Sequence, residues 1–137
     1  MPGLIQLAEL LRGRNEIDHQ IAKIINRPAL PGHIGEFIAS GIFDIELCES
    51  AVTKGIDGHF RSGPLAGRSV NVKFYGKQES FLDINPKGLP DYYLVLTGDK
   101  SSGPVSKGKT RPLVVRHVYL LEARGLIDSL NGRGVKI

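Results

Sequence analysis

The sequence predicts a domain of α+β, or mixed α/β, architecture, and three observations lead to this class. Apolar residues recur at helical spacing in residues 1–40, they alternate with polar residues in much of 42–120, and a helical pattern returns at 122–134. This order lacks the regular alternation of strand and helix that builds a doubly wound sheet. With 137 residues, the chain has the length of one ordinary domain, which we expect to span residues 1–137.

Three helices are predicted at the start of the chain. The apolar residues from Leu4 to Leu11 have helical spacing, and Gly13 is typical of a helix end. Asn15 fits the N-cap of a second helix, which closes before Pro28. The third helix, HIGEFIAS, could serve as the reading helix of a helix-turn-helix motif. It has no Arg, Lys, Asn or Gln to reach base edges or phosphates, so packing against the sheet is the favoured interpretation.

Five strands and a last helix follow. The run DYYLVLTG is apolar on both faces, as is typical of a central, covered strand. Gly, Ser and Pro residues between the second and third strands predict a hairpin turn. In order, the predicted segments are IFDIELCE from Ile42, GIDGHFRSG from about Ile56, GRSVNVKFYG from Gly67, the strand from Tyr92 to Thr97, RPLVVRHVYLLE from Arg111 and the helix EARGLIDSLNGRG.

Composition and charge narrow the setting in which the protein works. No apolar run approaches the length of a membrane span, so no membrane partner is expected. The first residues lack the basic-then-apolar order of a secretory signal, and Cys48 is the single cysteine, so we expect a cytoplasmic protein. The net charge of +4 is compatible with a polyanionic partner. The basic segment from Lys100 to Arg116 fits a solvated loop slightly better than an arm that follows phosphates.

Four polar residues follow one another in an order that suits a metal-dependent phosphodiesterase. Glu36 lies on a predicted helix, Asp57 on a strand, and Asn71 and Lys73 on the next strand. Carboxylates can hold Mg²⁺, and a lysine can orient or activate the attacking water. Asn71 and Lys73 are two residues apart, so they share one face of a strand at a spacing of about 7 Å and can reach one phosphate.

On these residues the chain resembles the PD-(D/E)XK, or restriction-endonuclease-like, nuclease superfamily. The pattern there is a Glu on a helix, an Asp at a strand and an acid-x-Lys on the following strand, and it falls here on Glu36, Asp57, Asn71 and Lys73. More narrowly, the blocks GHIGEFIAS, GIDGHF and VNVKFYGK look like those of an uncharacterised bacterial and archaeal family. This narrower resemblance covers roughly residues 28–137.

The resemblance implies a fold, a chemistry and partners. The fold would be a three-layer, restriction-endonuclease-like core with a central mixed sheet flanked by helices. Glu36, Asp57 and Asn71 would surround Mg²⁺ or Mn²⁺, Glu36 and Asp57 would share catalysis with Lys73, and Lys73 would position the water. The substrate would be DNA, and a homodimer is expected because many nucleases of this fold dimerise to cut both strands.

Position 71 departs from the superfamily pattern, because Asn stands where the pattern has Asp or Glu. An amide oxygen can contact a metal but brings no charge, so it holds Mg²⁺ more weakly. Three neighbouring acids could compensate, namely Glu79, Glu46 and Asp44. The alternative function is therefore a non-catalytic nucleic-acid-binding or protein-interaction module on the nuclease scaffold.

Each site residue also has a structural interpretation. Asp57 precedes a glycine, and Asp-Gly is a common turn pair. Lys73 could be an exposed strand lysine, and Glu36 could face solvent on a half-buried helix. Among the histidines, only His59 lies near enough to Asp57 along the chain to be considered for the site.

Overall fold

The computed structural model describes residues 2–49, 55–75, 82, 84–98 and 114–134. These residues form helices and strands in an α+β order. In chain order the elements are α1 Leu4–Ile25, α2 Pro31–Phe43, β1 Ile45–Leu47, β2 Gly58–Phe60, β3 Ser69–Tyr75, β4 Tyr92–Thr97, β5 His117–Glu122 and α3 Ala123–Gly132.

The first two predicted helices are one continuous helix, α1, so the predicted break at Gly13 is wrong. An interior glycine destabilises a helix by only about 0.5–1 kcal/mol relative to alanine, which a 22-residue helix tolerates. Asn15 is accordingly an interior residue and not an N-cap. The helix ends at Asn26, whose left-handed backbone (φ 57°) is typical of a helix C-terminus.

Helix α2 is longer at both ends than the predicted HIGEFIAS segment. Pro31 occupies its first turn, where the missing N–H of proline is harmless. The helix ends at Asp44, whose left-handed backbone (φ 52°) lets its N–H donate to the carbonyl of Ser40. The predicted strand start at Ile42 is therefore wrong, because Ile42 belongs to the last turn of α2 and β1 begins only at Ile45.

The five strands form one mixed sheet in the order β1-β2-β3-β4-β5. Antiparallel pairing joins β1 to β2, β2 to β3 and β4 to β5, whereas β3 and β4 are parallel. The predicted hairpin between the second and third strands is confirmed as β2–β3. Asp91 secures the start of the parallel pair, since its carboxylate accepts from the N–H of Ser69 at 2.9 Å and its own N–H donates to Ser69 Oγ at 2.9 Å.

Apolar layers cover both faces of the sheet. Val70, Val72, Leu94 and Leu96 pack on one face together with Ala39 of α2. Successive side chains of a strand point to opposite faces, so Tyr93 and Val95 point to the other face, where Ala123 of α3 and Leu89 pack on them. The predicted α+β fold with helices flanking a mixed sheet is therefore confirmed, and so is the packing of the third predicted helix against the sheet.

Candidate functional site

The site begins where β2 separates from β3. The last pairing of β2 with β3 joins Gly58 to Val70, and the N–H of Asp57 still donates to the carbonyl of Val70 at 2.9 Å. One step further along β3, the N–H of Val72 donates to Asp57 Oδ2 at 2.7 Å. The carboxylate of Asp57 thus accepts the hydrogen bond that a backbone carbonyl of β2 would accept if the pairing continued to Val72. We call this point, at Asp57 and Val72, the strand fork.

Glu36 approaches the strand fork from the α2 side of the sheet. Its neighbour Gly35 lies so close to β3 that a Cβ at position 35 would be 2.5 Å from Phe74 Cβ. Glycine therefore permits the short helix-to-strand distance that brings α2 to the fork. The side chain of Glu36 is only 16% exposed, so the interpretation of Glu36 as a solvent-facing helix residue is wrong.

The two acids influence one another. Burial raises the pKa of Glu36, and the nearby Asp57 carboxylate raises it further, while Arg27 and His33 act in the opposite direction. Burial also raises the pKa of Asp57, against the lowering effects of the Val72 N–H, Lys73 and Arg27. Two partly desolvated carboxylates whose protons are held more tightly than usual form a pair that favours a nearby cation.

Lys73 lies on the opposite face of β3 from α2, because it follows Val72 by one residue along the strand. Its ammonium is near enough to Asp57 to lower the pKa of that carboxyl. Within the described part of the chain, the side chain of Lys73 has no hydrogen bond or ion pair. Glu36 and Lys73 thus approach Asp57 from opposite sides of the sheet.

Arg27 is a member of the cluster that the sequence did not reveal. One of its guanidinium nitrogens lies 3.3 Å from Glu36 Oε1, and another donates to the carbonyl of Cys48 at 3.0 Å. Arg27 follows α1 in the connection to α2, so no helical or strand periodicity points to it. His33 is also close, with Nδ1 3.7 Å from Glu36 Oε2, which is too long for a hydrogen bond.

Asn71 is buried and holds the segment that leads to Asp57. Its Nδ2 donates to the carbonyl of Gly55 at 3.1 Å, while its Oδ1 has no hydrogen-bond partner in the structure as described. Gly55 has a positive φ of 81°, and a Cβ there would collide with the carbonyl oxygen of Gly88. A carbonyl oxygen can only accept, so an aspartate at position 71 would lose this contact. The amide thus has a structural task that an ionised acid could not perform.

The other acids considered for the site have different locations. Asp44 accepts from Ser62 at 2.7 Å and lies 3.8 Å from Arg61 on an exposed surface. Glu46 is exposed on β1, opposite His59 of β2, which is exposed as well. Glu79 lies outside the described residues. Among the residues described, no group of three His, Cys, Asp or Glu side chains could hold a metal ion.

The remaining donors nevertheless suit magnesium. Mg²⁺ usually keeps several waters and takes one or two carboxylates from the protein, together with substrate phosphates. Glu36 and Asp57 supply two such carboxylates, and burial raises the pKa of each. The Oδ1 of Asn71 also has no hydrogen-bond partner in the described structure, but Asn71 shares the face of β3 with Lys73, opposite α2.

Fold and site together define the class of protein only broadly, as an α+β domain with two partly buried acids and a lysine at a strand fork. No model of a known protein family matches the chain, and no curated protein matches it significantly. None of the helices in the described ranges is long and apolar enough to cross a membrane. The resemblance to the nuclease superfamily stays a prediction that depends on the residues themselves.

Proposed function

We propose that this protein is a metal-dependent nuclease-like protein that acts on phosphodiester bonds of DNA. The observation that carries the proposal is the position of Asp57 at the strand fork, where its carboxylate accepts from the Val72 N–H at 2.7 Å and interacts electrostatically with Glu36 and with Lys73. These residues are 37 positions apart at most in the sequence and belong to a helix, a strand entrance and a strand. Their convergence supports a shared chemical task better than three unrelated structural tasks.

Each residue has a distinct part in the proposed reaction. Glu36 and Asp57 would hold Mg²⁺ or Mn²⁺, and Asn71 would add a neutral oxygen. The metal, when bound, would polarise the scissile phosphate and acidify a bound water. The Val72 N–H fixes the orientation of Asp57, and the Lys73 ammonium can orient the attacking water or balance the charge that develops on the phosphate.

Arg27 would support the site without contacting the substrate. Its guanidinium partly compensates the buried charge of Glu36 and ties α2 to the end of β1 through the carbonyl of Cys48. We therefore assign it a positioning role. DNA is the proposed substrate class because of the resemblance and the net charge of +4. A homodimer belongs to the same proposal, because two copies would provide one site for each strand of a duplex.

The test is cleavage of supercoiled, linear and branched DNA in Mg²⁺ or Mn²⁺ by the wild type, Lys73→Ala and Lys87→Ala. Lys87 is an exposed lysine in the turn before β4, so its replacement is the matched control. We expect Lys73→Ala to lower the cleavage rate at least ~100-fold, as is usual for loss of a proton-transferring or orienting group, and Lys87→Ala to leave it unchanged. Equal cleavage by the wild type and Lys73→Ala, or none by either, would refute the catalytic proposal.

A second candidate function is favoured by Asn71. Its side chain is a neutral amide, so position 71 adds no charge to the pair of acids, and this amide donates to the Gly55 carbonyl. On this hypothesis the chain binds nucleic acid on the same scaffold without cutting it. Unchanged thermal stability on titration with Mg²⁺ or Mn²⁺, together with DNA binding that weakens with salt, would select this function. Absence of DNA binding would contradict both and leave a role with a protein partner.

A further inference from the structure

Helix α1 contributes almost nothing to the core of the domain. None of its residues is buried, and every residue from Leu4 to Gln20 is exposed. Only Ile21, Ala22 and Ile25, in the last turns, are partly buried. The first four turns of α1 therefore extend from the domain as an arm. At 1.5 Å per residue, the whole helix is about 33 Å long.

One side of this arm is a broad apolar stripe. Successive residues of an α-helix are turned by about 100° around its axis, and on this geometry the residues of the stripe lie within less than half of the helix circumference. The large side chains are between 46% and 70% exposed, which is unusual for so many apolar residues on one element. The exposed stripe consists of Leu4, Leu7, Leu10, Leu11, Ile17 and Ile24.

Two opposite charges stand inside the stripe at the middle of the helix. Arg14 and Asp18 are four residues apart, and by the same rotation both fall between the apolar residues rather than on the polar side. The side chain of neither residue forms a hydrogen bond or ion pair with another residue that the structure describes. The charges on the polar side, such as Glu9 and Arg12, face away from them.

We infer that α1 pairs antiparallel with α1 of a second copy of this chain. With the twofold axis at the level of Glu16, Arg14 of each copy faces Asp18 of the other. The same register places Leu11 opposite Ile21 and Leu7 opposite Ile25, two residues on the same side of the helix that remain partly exposed. Each of these contacts occurs twice, as a twofold interface requires. The two central ion pairs fix the register, and the apolar contacts on either side of them provide the driving force.

Charge complementarity selects this occupant over a membrane surface. A helix that lies in a membrane interface keeps its charges on the polar side, whereas Asp18 would here be pressed into the apolar layer. In the antiparallel pair, the same aspartate meets an arginine. The inference rests on the homodimer of the proposed function but not on the proposed cleavage, so measurements without DNA or metal test it separately.

The experiment is sedimentation equilibrium of the full chain at micromolar concentration. We expect a dimer for the wild type. Arg14→Asp and Asp18→Arg each place like charges opposite one another at two contacts, so each should raise the dissociation constant at least ~10-fold. Arg12→Asp makes the same change of charge on the other side of the helix and should leave the dissociation constant unchanged. Circular dichroism confirms that the variants keep their helical content.

Mixing the two weakened variants gives a stronger test. In a heterodimer of Arg14→Asp with Asp18→Arg, two aspartates of one chain face two arginines of the other. We therefore expect the equimolar mixture to dimerise as tightly as the wild type, although each variant alone does not. Contacts within one helix cannot produce this recovery, because each chain in the mixture still carries like charges at positions 14 and 18.

Three outcomes would overturn the inference. The first is a monomeric wild type, and the second is a dimer that is insensitive to Arg14→Asp and Asp18→Arg. The third is a mixture that stays as weak as its components. If the monomeric wild type co-sediments with phosphatidylglycerol vesicles, the stripe belongs to a membrane surface instead.

Discussion

Replacement of Asn71 by aspartate, Asn71→Asp, restores the acid of the nuclease pattern at the expense of a buried hydrogen bond. Asn71 is 8% exposed, and its Nδ2 donates to the Gly55 carbonyl at 3.1 Å. Loss of that donor leaves a partly buried carbonyl unpaired, which costs about 1–3 kcal/mol. A carboxylate beside the carbonyl oxygen adds an unpaired buried charge, so we expect a total loss of about 3–5 kcal/mol in the free energy of unfolding at pH 7.

The loss of stability in Asn71→Asp should become larger as the pH rises. Burial next to a carbonyl would raise the pKa of the introduced carboxyl in the folded Asn71→Asp variant above the unfolded value of about 3.9. The folded variant then holds its proton more tightly, so its stability relative to the wild type is highest below about pH 4 and falls as the pH rises through the raised pKa of the folded state. In its protonated form, the new carboxyl can donate to the Gly55 carbonyl in place of the amide.

Urea unfolding of the wild type and Asn71→Asp at several pH values measures this difference, and Asn15→Asp is the control. Asn15 is exposed on α1, so the same chemical change there should alter the free energy of unfolding by no more than about 0.5 kcal/mol. Stability of Asn71→Asp equal to that of the wild type at pH 7 in the absence of metal would refute the structural task assigned to the amide. Recovery of stability on addition of Mg²⁺ would mark position 71 as a metal ligand.

Two further predictions concern the strand fork and the helix that approaches it. Asp57→Asn keeps an acceptor for the Val72 N–H, so it should retain the stability of the wild type but lose stabilisation by Mg²⁺. Asp57→Ala should in addition lower the free energy of unfolding by about 1–3 kcal/mol, because the Val72 N–H loses its acceptor. Equal unfolding midpoints of the two variants would contradict this prediction. Gly35→Ala should destabilise the protein by about 1–3 kcal/mol, because the new methyl group would collide with Phe74. Gly41→Ala lies in the same helix with open space around it and should stabilise the protein by about 0.5–1 kcal/mol. Denaturant unfolding measures both changes, and a Gly35→Ala variant as stable as the wild type would contradict the close packing.

The fold was largely predictable because hydrophobic periodicity reports directly on strands and helices. DYYLVLTG predicted a covered strand, and β4 lies between two neighbours in the sheet. The errors occur where two patterns compete. Ile42 continues both the apolar spacing of α2 and the alternation of the following strand, and only the left-handed backbone of Asp44 decides where the helix ends. Gly13 was misleading because a solvent-exposed helix tolerates glycine.

The candidate site was predictable only in part. The order of Glu36, Asp57 and Lys73 along the chain suggested one site, and Asp57 interacts electrostatically with each of the other two. The role of Asn71 depends on its contact with Gly55, 16 residues away, which no local pattern contains. The same holds for Arg27, because its partners in α2 and after β1 become neighbours only through the tertiary fold.

The hydrogen bond from Val72 to Asp57 makes one backbone amide a spectroscopic reporter of the strand fork. The chemical shift of an amide proton depends strongly on the charge of the oxygen that it contacts, and here that oxygen belongs to a proposed ligand at 2.7 Å. The Val72 resonance should therefore follow protonation of Asp57 and any cation that binds it. A single nuclear magnetic resonance titration could thus observe the chemistry of the site in the unsubstituted protein, before any substrate is known.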